Sequence, residues 1–349
     1  MEKPLRIPQI DFIRGFAIVI MIIANTSPYI FEEITPPISL RLLFSLAAPT
    51  FIFLSGYNFY TFSLNKKTTY LYTKAIQVLV IGILIDVVIW KVLPFQGFDI
   101  LYLISLCQII SISLIKSNQF LRYSLIFIFT IIVLYILANH DYRFDISSAS
   151  IKFKDWTTFN IQSSIFRFVL DGWFPLIPWS ILFLLGFVFA SPSFKSNFVY
   201  NILHKIAPLF IVTPLVLYFF GATSPNEPRE GYSEIFYPVT LEYSILILGV
   251  IIYLVSFIKY YTFIRFNILT LLGRYSLSIY LLHCTLIDLL FENYNVPFIG
   301  TASQLINLIV AGSLIILIVT VYAAAVEQLQ KTQLFHSTYF NPIKFLIGL

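Results

Sequence analysis

The chain has 349 residues, of which 58% are apolar and only 11% are charged, and its mean hydropathy is +0.86. Because soluble domains carry about 25% charged residues, this composition excludes an ordinary soluble domain and predicts an integral membrane protein. The net charge of +5 does not indicate nucleic-acid binding, since the basic residues are scattered between apolar runs. The two cysteines, Cys107 and Cys284, lie inside apolar runs without metal-ligand spacing, so we expect neither a metal nor a disulfide.

Ten apolar runs follow one another along the chain, each near the roughly 20 residues that a helix needs to cross a bilayer. The predicted fold class is all-α, a polytopic transmembrane bundle of about ten helices that forms a single domain over residues 1–349. The predicted helices cover residues 12–31, 40–62, 70–92, 98–115, 121–138, 173–190, 200–220, 238–258, 267–290 and 304–326.

The distribution of lysine and arginine predicts the orientation of this bundle. If the helices alternate in direction, most of the 22 basic residues fall in connections on the side of the N-terminus. The positive-inside rule then places both termini in the cytoplasm and the two longest connections, 139–172 and 221–237, outside. We expect a multi-pass protein of a bacterial plasma (inner) membrane.

The first predicted helix carries an acid and a base at its start and an amide near its end. Asp11 and Arg14 are three residues apart and share one helix face, either as an ion pair at the interface or as a cationic lip for an anionic substrate. Asn25 follows eleven residues later, about 16 Å further along the helix. It either bridges two helices or takes part in chemistry in the outer half of the membrane.

The second and third predicted helices add fewer signals. Pro49 and Gly56 predict a broken or closely packed helix, on which Tyr57 faces inward near the cytoplasmic side. Asp86 lies in the outer half of the third helix. A lone buried carboxylate is costly, so Asp86 needs a partner or faces water.

The stretch "DGWFPLIPW" opens the sixth predicted helix at the outer rim and carries Asp171 and Trp173. A tryptophan at a membrane interface usually serves as an anchor. An aromatic ring beside a carboxylate is also suited to hold a sugar by stacking and hydrogen bonding, so both interpretations stay open.

The ninth predicted helix repeats the polarity of the first. Arg274 lies near its cytoplasmic end, and His283 follows nine residues later in the outer half. Histidine is the side chain best suited to proton transfer near neutral pH, although a buried histidine often only bonds neighbouring helices. The two helices together predict arginines near the cytoplasmic side and Asn, His and Asp in the outer half of the membrane. This arrangement suits an anionic substrate that enters at the arginines and reacts with a polar substrate in the outer half.

Four motifs in order carry a family resemblance over about residues 5–326: "IDFIRGFAIVIMIIAN", "FSLAAPTFIFLSGYNFY", "DGWFPLIPWSILFLLGFVF" and "LLGRYSLSIYLLHCTLIDLLFENY". Together they resemble the catalytic-domain family of heparan-alpha-glucosaminide N-acetyltransferase, which belongs to a wider group of membrane acyltransferases. The resemblance implies transfer of an acetyl group from cytoplasmic acetyl-CoA to a sugar, glycan or glycolipid outside the cytoplasm.

The resemblance also implies roles for the polar residues. Arg14 and Arg274, with Asp11 and Tyr57 beside them, would hold the phosphates of acetyl-CoA. The thioester would lie near His283 and Asn25, with Asp86 in the same outer half. Acceptor binding would involve residues of the outer rim and of the loop after the first helix, namely Asp171, Trp173, Glu32 and Glu33.

The sequence departs from the family pattern at one functional position. Family members that acetylate glucosamine have a catalytic histidine about 11 residues after the matching asparagine, where this chain has Pro36. Either His283 is the general base here, or one of Glu32 and Glu33 is, or the reaction differs. We favour His283.

Two other classes of function compete with the acyltransferase. One is a transporter or flippase for an anionic or lipid-linked solute, although the internal repeat typical of transporters is not evident in the sequence. The other is a non-catalytic membrane component of a glycan-modifying complex, which the absent loop histidine favours. Expected partners are acyl-CoA, an extracytoplasmic acceptor and the lipid bilayer. A homodimer is compatible with the sequence.

Overall fold

The computed structural model describes residues 7–31, 36–139, 160–192, 197–220, 241–260, 267–293 and 304–332. Every regular element in these ranges is helical, and no strand occurs in them. The helices are α1 (Pro8–Thr26), α2 (Pro28–Phe31), α3 (Ile38–Phe44), α4 (Ala47–Ser63), α5 (Thr68–Leu84), α6 (Ile100–Lys116), α7 (Gln119–Asn139), α8 (Ile161–Phe166), α9 (Leu176–Phe189), α10 (Asn197–Phe219), α11 (Leu241–Tyr260), α12 (Ile268–Arg274), α13 (Ser276–Ile287) and α14 (Gln304–Leu329). Three π-helical turns, Ile85–Trp90, Arg167–Asp171 and Asp288–Asn293, follow α5, α8 and α13.

Each of the ten predicted spans coincides with an apolar helical segment. Five segments are long and apolar enough to cross a membrane, namely Pro8–Phe31, Ile38–Ser63, Thr68–Trp90, Gln119–Ile136 and Gln304–Leu329. Five others are apolar but shorter. The all-helical, multi-pass membrane class is therefore confirmed, whereas the count of ten crossings and the side of the termini stay predictions.

Helix α1 lies at the centre of the bundle. It packs against α4, α12, α13 and α14, and it belongs to Pro8–Phe31, the most buried of the five long spans. The side chains of Ile18 and Ile22 are fully buried there, as are Ile52 and Phe53 on α4. Helices α7 and α14 instead expose many large apolar side chains, which suits an outer position against lipid.

Two helix crossings in the bundle are made by reciprocal glycines. A Cβ atom on Gly15 would lie 1.8 Å from the carbonyl oxygen of Leu269, and one on Gly273 would lie 1.8 Å from that of Asp11, so α1 and α12 touch backbone to backbone. Gly56 and Gly186 bring α4 and α9 together in the same way. Small residues at such crossings are the usual means of close packing in membranes.

The structure interrupts three of the predicted helices, the first of them at Ser27 between α1 and α2. The second predicted helix breaks at Ser45 and Leu46, because Pro49 lacks the N–H that would bond to the carbonyl of Ser45. The hydroxyl of Tyr243 donates to that carbonyl instead. The ninth predicted helix breaks at Tyr275, two residues after Gly273, where α12 meets α1.

Candidate active site

Asn25 and His283 form a direct pair between two helices. The amide Nδ2 of Asn25 lies 3.0 Å from Nε2 of His283, which is fully buried. The sequence predicts both residues in the same half of the membrane on different helices, and the packing of α1 against α13 brings their side chains together.

The second ring nitrogen of His283 identifies its tautomer. Nδ1 lies 3.2 Å from the backbone carbonyl of Ile279, which can only accept a hydrogen bond. Nδ1 therefore carries the proton, and Nε2 of the neutral ring accepts from the amide of Asn25. The unprotonated nitrogen, the one suited to act as a base, points to the first helix.

Tyr280 packs against the His283 ring and connects it to Asp99. The two ring centroids are 5.1 Å apart at an interplanar angle of 69°, an edge-on contact. The hydroxyl of Tyr280 donates to both carboxylate oxygens of Asp99, at 3.0 and 2.8 Å. Asp99 also accepts the backbone N–H of Ile100 at 2.6 Å, as the N-cap of α6.

Asp86 lies beside this cluster in the π-helical turn after α5. It is 6% exposed and accepts a hydrogen bond from the hydroxyl of Tyr102 on α6. The predicted need of this carboxylate for a partner is thus met by a tyrosine. The turn that carries Asp86 packs against α13, but Asp86 bonds to Tyr102 rather than to His283.

Arg14 lies at the opposite end of α1, where it bridges two helices. Its Nη1 is 3.3 Å from the carboxylate of Asp11 and donates to the carbonyl of Gly273 at 3.1 Å. Gly273 lies in the last turn of α12, where carbonyls lack helical partners and a cation is favourable. The predicted ion pair with Asp11 is therefore present, and it stands at the α1–α12 crossing.

Arg274 comes directly after Gly273 and forms an ion pair with Glu327 near the end of α14. The hydroxyl of Tyr275 donates to the side-chain oxygen of Gln330, three residues after Glu327, at 3.1 Å. The packing of α1, α12 and α14 thus gathers both arginines of the prediction at one end of the bundle, each beside a carboxylate.

The other predicted residues lie elsewhere. Tyr57 is buried at the α4–α9 crossing, where its backbone nitrogen faces Gly186. Trp173 is half-buried, and its backbone N–H donates to the carbonyl of Gly97 at 2.8 Å. Asp171 ends a π-helical turn, and its side chain lies outside the described part of the structure, as do Glu32 and Glu33.

Sequence reasoning assigned no functional role to three residues that contact the site. These residues are Asp99, Tyr280 and Glu327. A usable signal for Tyr280 is its spacing, since it lies three residues before His283 and shares its helix face. The partnerships of Asp99 and Glu327 depend on packing between distant helices and leave no trace in local sequence.

These features define a multi-pass helical membrane protein with a buried histidine bonded to a half-buried asparagine at one end of a central helix and two arginines at the other. Such a site offers a neutral imidazole base and an amide donor for a developing oxyanion, which are the groups that acyl transfer requires.

The comparison with protein families agrees with this chemistry. Residues 6–224 match the family model "Heparan-alpha-glucosaminide N-acetyltransferase, catalytic", and the chain belongs to this family of membrane acyltransferases. Residues 186–331 also match the family "Protein of unknown function (DUF418)". No curated protein matches the chain.

Proposed function

We propose that the protein transfers an acetyl or other acyl group from cytoplasmic acyl-CoA to an amine or hydroxyl of a sugar, glycan or glycolipid outside the cytoplasm. The observation that carries this proposal is the hydrogen bond between Asn25 and the unprotonated nitrogen of His283. Membership of the acyltransferase family supports the reaction class.

In this mechanism His283 is the general base and Asn25 stabilises the oxyanion. The acceptor attacks the thioester carbonyl and gives its proton to Nε2 of His283. The carbonyl oxygen becomes an oxyanion, which receives a hydrogen bond from the amide of Asn25. The intermediate then collapses, the carbon–sulfur bond breaks, and the CoA thiolate takes the proton back from His283.

This assignment resolves the departure at Pro36 without a loop histidine. His283 supplies a base on the helix bundle itself, adjacent to the same asparagine that the family pattern includes. Glu32 and Glu33 then belong to the acceptor side, with Asp171 and Trp173, rather than to proton transfer. Asp86, which accepts a hydrogen bond from Tyr102, would assist the transfer reaction from the same end of the bundle.

Donor binding falls to the opposite end of α1. Arg14 and Arg274 would bind the phosphates of acyl-CoA, with Asp11 and Tyr57 nearby. Both arginines already have carboxylate partners, Asp11 and Glu327. A phosphate must therefore displace these carboxylates or share the guanidinium groups with them. The 11-residue separation of Arg14 and Asn25 corresponds to about 16 Å, a span that the extended arm of CoA would cross.

The orientation of the protein follows the same proposal. The arginine end faces the cytoplasm with both termini, and the His283 end faces outward in an inner membrane. The chain acts as one domain over residues 1–349, alone or as a homodimer.

Acetyl-CoA binding and CoA release test this function. The purified protein in nanodiscs is titrated with acetyl-CoA by calorimetry, and free thiol is then followed with amino sugars and glycans as acceptors. We expect Arg14→Ala to weaken binding and His283→Ala to abolish thiol release while binding persists. Lys116→Ala, at the end of α6, is the matched cation control. A wild-type protein that does not bind acetyl-CoA would contradict the proposal and favour the transporter or the non-catalytic component.

A further inference from the structure

The geometry around His283 points to an additional pair of residues that the proposed reaction requires. In the resting state the imidazole is held in its plane by two hydrogen bonds, from Nδ1 to Ile279 and from Asn25 to Nε2. In the proposed mechanism the amide of Asn25 turns to the oxyanion, so Nε2 loses its partner while the proton is transferred. The hydrogen bond through Nδ1 and the weak contact of the Cys284 thiol, 3.7 Å from Nε2, then leave the ring able to rotate about Nδ1.

The ring of Tyr280 limits this rotation. The two rings make an edge-on contact with centroids 5.1 Å apart, and Tyr280 lies one turn earlier on the same helix. This ring contact is not a hydrogen bond to Asn25, so it persists when Asn25 changes partner.

Asp99 in turn fixes Tyr280 from a different helix. Both of its carboxylate oxygens accept from the tyrosine hydroxyl, and one also accepts the N–H of Ile100 at the start of α6. A tyrosine in a bundle interior needs only one acceptor, whereas this one is held at two points on a carboxylate that is itself anchored. We propose that Tyr280 and Asp99 are a positioning pair that keeps the His283 imidazole aligned for proton transfer. This inference rests on the proposed function.

The decisive variants are Tyr280→Phe and Asp99→Asn. Tyr280→Phe keeps the aromatic ring but removes its anchor, so we expect kcat to fall about tenfold or more with an unchanged KM for acetyl-CoA. Asp99→Asn keeps an acceptor oxygen and a good N-cap, so it should retain most of the activity. Tyr243→Phe is the matched control, because Tyr243 is also a buried tyrosine whose hydroxyl donates to a carbonyl on another helix, far from His283 in sequence.

A spectroscopic readout separates positioning from overall stability. In protein labelled with ¹⁵N-histidine, Nδ1 and Nε2 of His283 should give the signals of a single neutral tautomer with a protonated Nδ1. We expect Tyr280→Phe to shift or broaden these signals, and Tyr243→Phe to leave them unchanged at a similar thermal midpoint.

Two results would overturn the positioning pair. One is a Tyr280→Phe variant that matches Tyr243→Phe in kcat and in the His283 signals. The other is an Asp99→Asn variant that loses as much activity as Tyr280→Phe, since the carboxylate charge rather than the hydrogen bond would then matter. A wild-type protein that neither binds nor turns over acetyl-CoA would instead count against the proposed function. In that case the histidine signals of the variants still test the positioning pair.

Discussion

His283 illustrates at the scale of one residue how the bundle prepares a base. Its side chain is fully buried, its Nδ1 proton is committed to Ile279, and its Nε2 faces Asn25. A neutral histidine with a fixed tautomer can accept a proton at Nε2 without a change of tautomer, which suits a general base.

The first prediction concerns this pair. His283→Gln should lower kcat by about 10²–10⁴-fold, because it removes the base, and Asn25→Ala should lower it by about 10²–10³-fold. Acetyl-CoA binding should change little in either variant, since the arginines are at the other end of α1. Steady-state thiol release and calorimetry measure the two effects. His204→Gln is the control, as His204 stacks on Tyr253 between α10 and α11. Equal losses in the His204 and His283 variants would rule out the specific role.

The second prediction concerns the ion pair of Arg274 and Glu327. Glu327→Gln removes the competing carboxylate, so acetyl-CoA should bind several-fold more tightly and with a steeper dependence on salt. Titrations at two ionic strengths measure this change. Glu242→Gln, in the first turn of α11, should leave binding unchanged. Weaker binding in Glu327→Gln would indicate that the pair serves the fold rather than the donor site.

The polarity of single helices was sufficient to predict some site residues but not their contacts. Asn25 and His283 stand out because polar side chains are rare and costly in apolar helices. That they touch depends on the direction and rotation of two helices 258 residues apart. The same limit applies to Glu327, whose position near the end of α14 suggests only a solvated helix terminus until α12 is packed beside it.

Reciprocal glycines set the geometry at the scale of helices. Gly15 and Gly273 allow α1 and α12 to approach until backbone atoms touch. This approach places Arg14 beside the carbonyl of Gly273 at one end and Asn25 beside His283 at the other. The glycines therefore shape the site through backbone packing, and Gly273 also offers its carbonyl to Arg14.

The third prediction follows from the space at these glycines. Gly15→Ala and Gly273→Ala put a methyl group 1.8 Å from a carbonyl oxygen, so the helices must separate and the yield of monodisperse protein should fall severely. Gly82→Ala on α5 is the control, because its nearest atom is a side-chain carbon at 3.3 Å and alanine favours helix. Size-exclusion chromatography of the detergent-extracted protein measures the outcome. Normal yields of Gly15→Ala with full activity would show that the crossing is not essential.

The positions of the helices were largely predictable, whereas their interruptions were not. All ten apolar runs coincide with helical segments, with described ends within four residues of those predicted, because a long apolar run dominates any local preference. Pro49 explains the break at Ser45, but the Tyr243 hydroxyl that bonds to the freed carbonyl comes from far along the chain, and the π-helical turn at Asp86 has no local signature. Pro49 and Gly56 did predict a disturbed or closely packed second helix, and both effects occur.

At the scale of the whole molecule, α1 and the α12–α13 pair run in the same direction through the bundle. Arg14 meets Gly273 at one end, and Asn25 meets His283 at the other. The predicted topology has seven spans between these two helices, which requires the same parallel arrangement. This agreement supports an alternating order of the spans between them, and the positive-inside rule then predicts that the arginine end faces the cytoplasm.

The fourth prediction tests that orientation. Lys91→Cys, in the connection between α5 and α6, should react with a membrane-impermeant maleimide on intact cells. Asn118→Cys, between α6 and α7, should react only after permeabilisation. The native Cys107 and Cys284 are buried, so their background should be low. The reverse pattern of labelling would place the termini outside and exclude a cytoplasmic donor at Arg14.

Transfer of an acetyl group across a sealed membrane tests the proposed function most directly. Proteoliposomes are loaded with ¹⁴C-acetyl-CoA, freed of external label, and given glucosamine glycosides and neutral glycans outside. We predict that labelled acceptor accumulates outside in the wild type and in His204→Gln, while His283→Gln produces none and retains its acetyl-CoA. If labelled acetyl-CoA appears outside the liposomes in unhydrolysed form, the protein is a transporter. The opposite result is a wild-type protein that transfers no label to any acceptor and retains its acetyl-CoA, as His283→Gln does. It would contradict an acyltransferase built on Asn25 and His283.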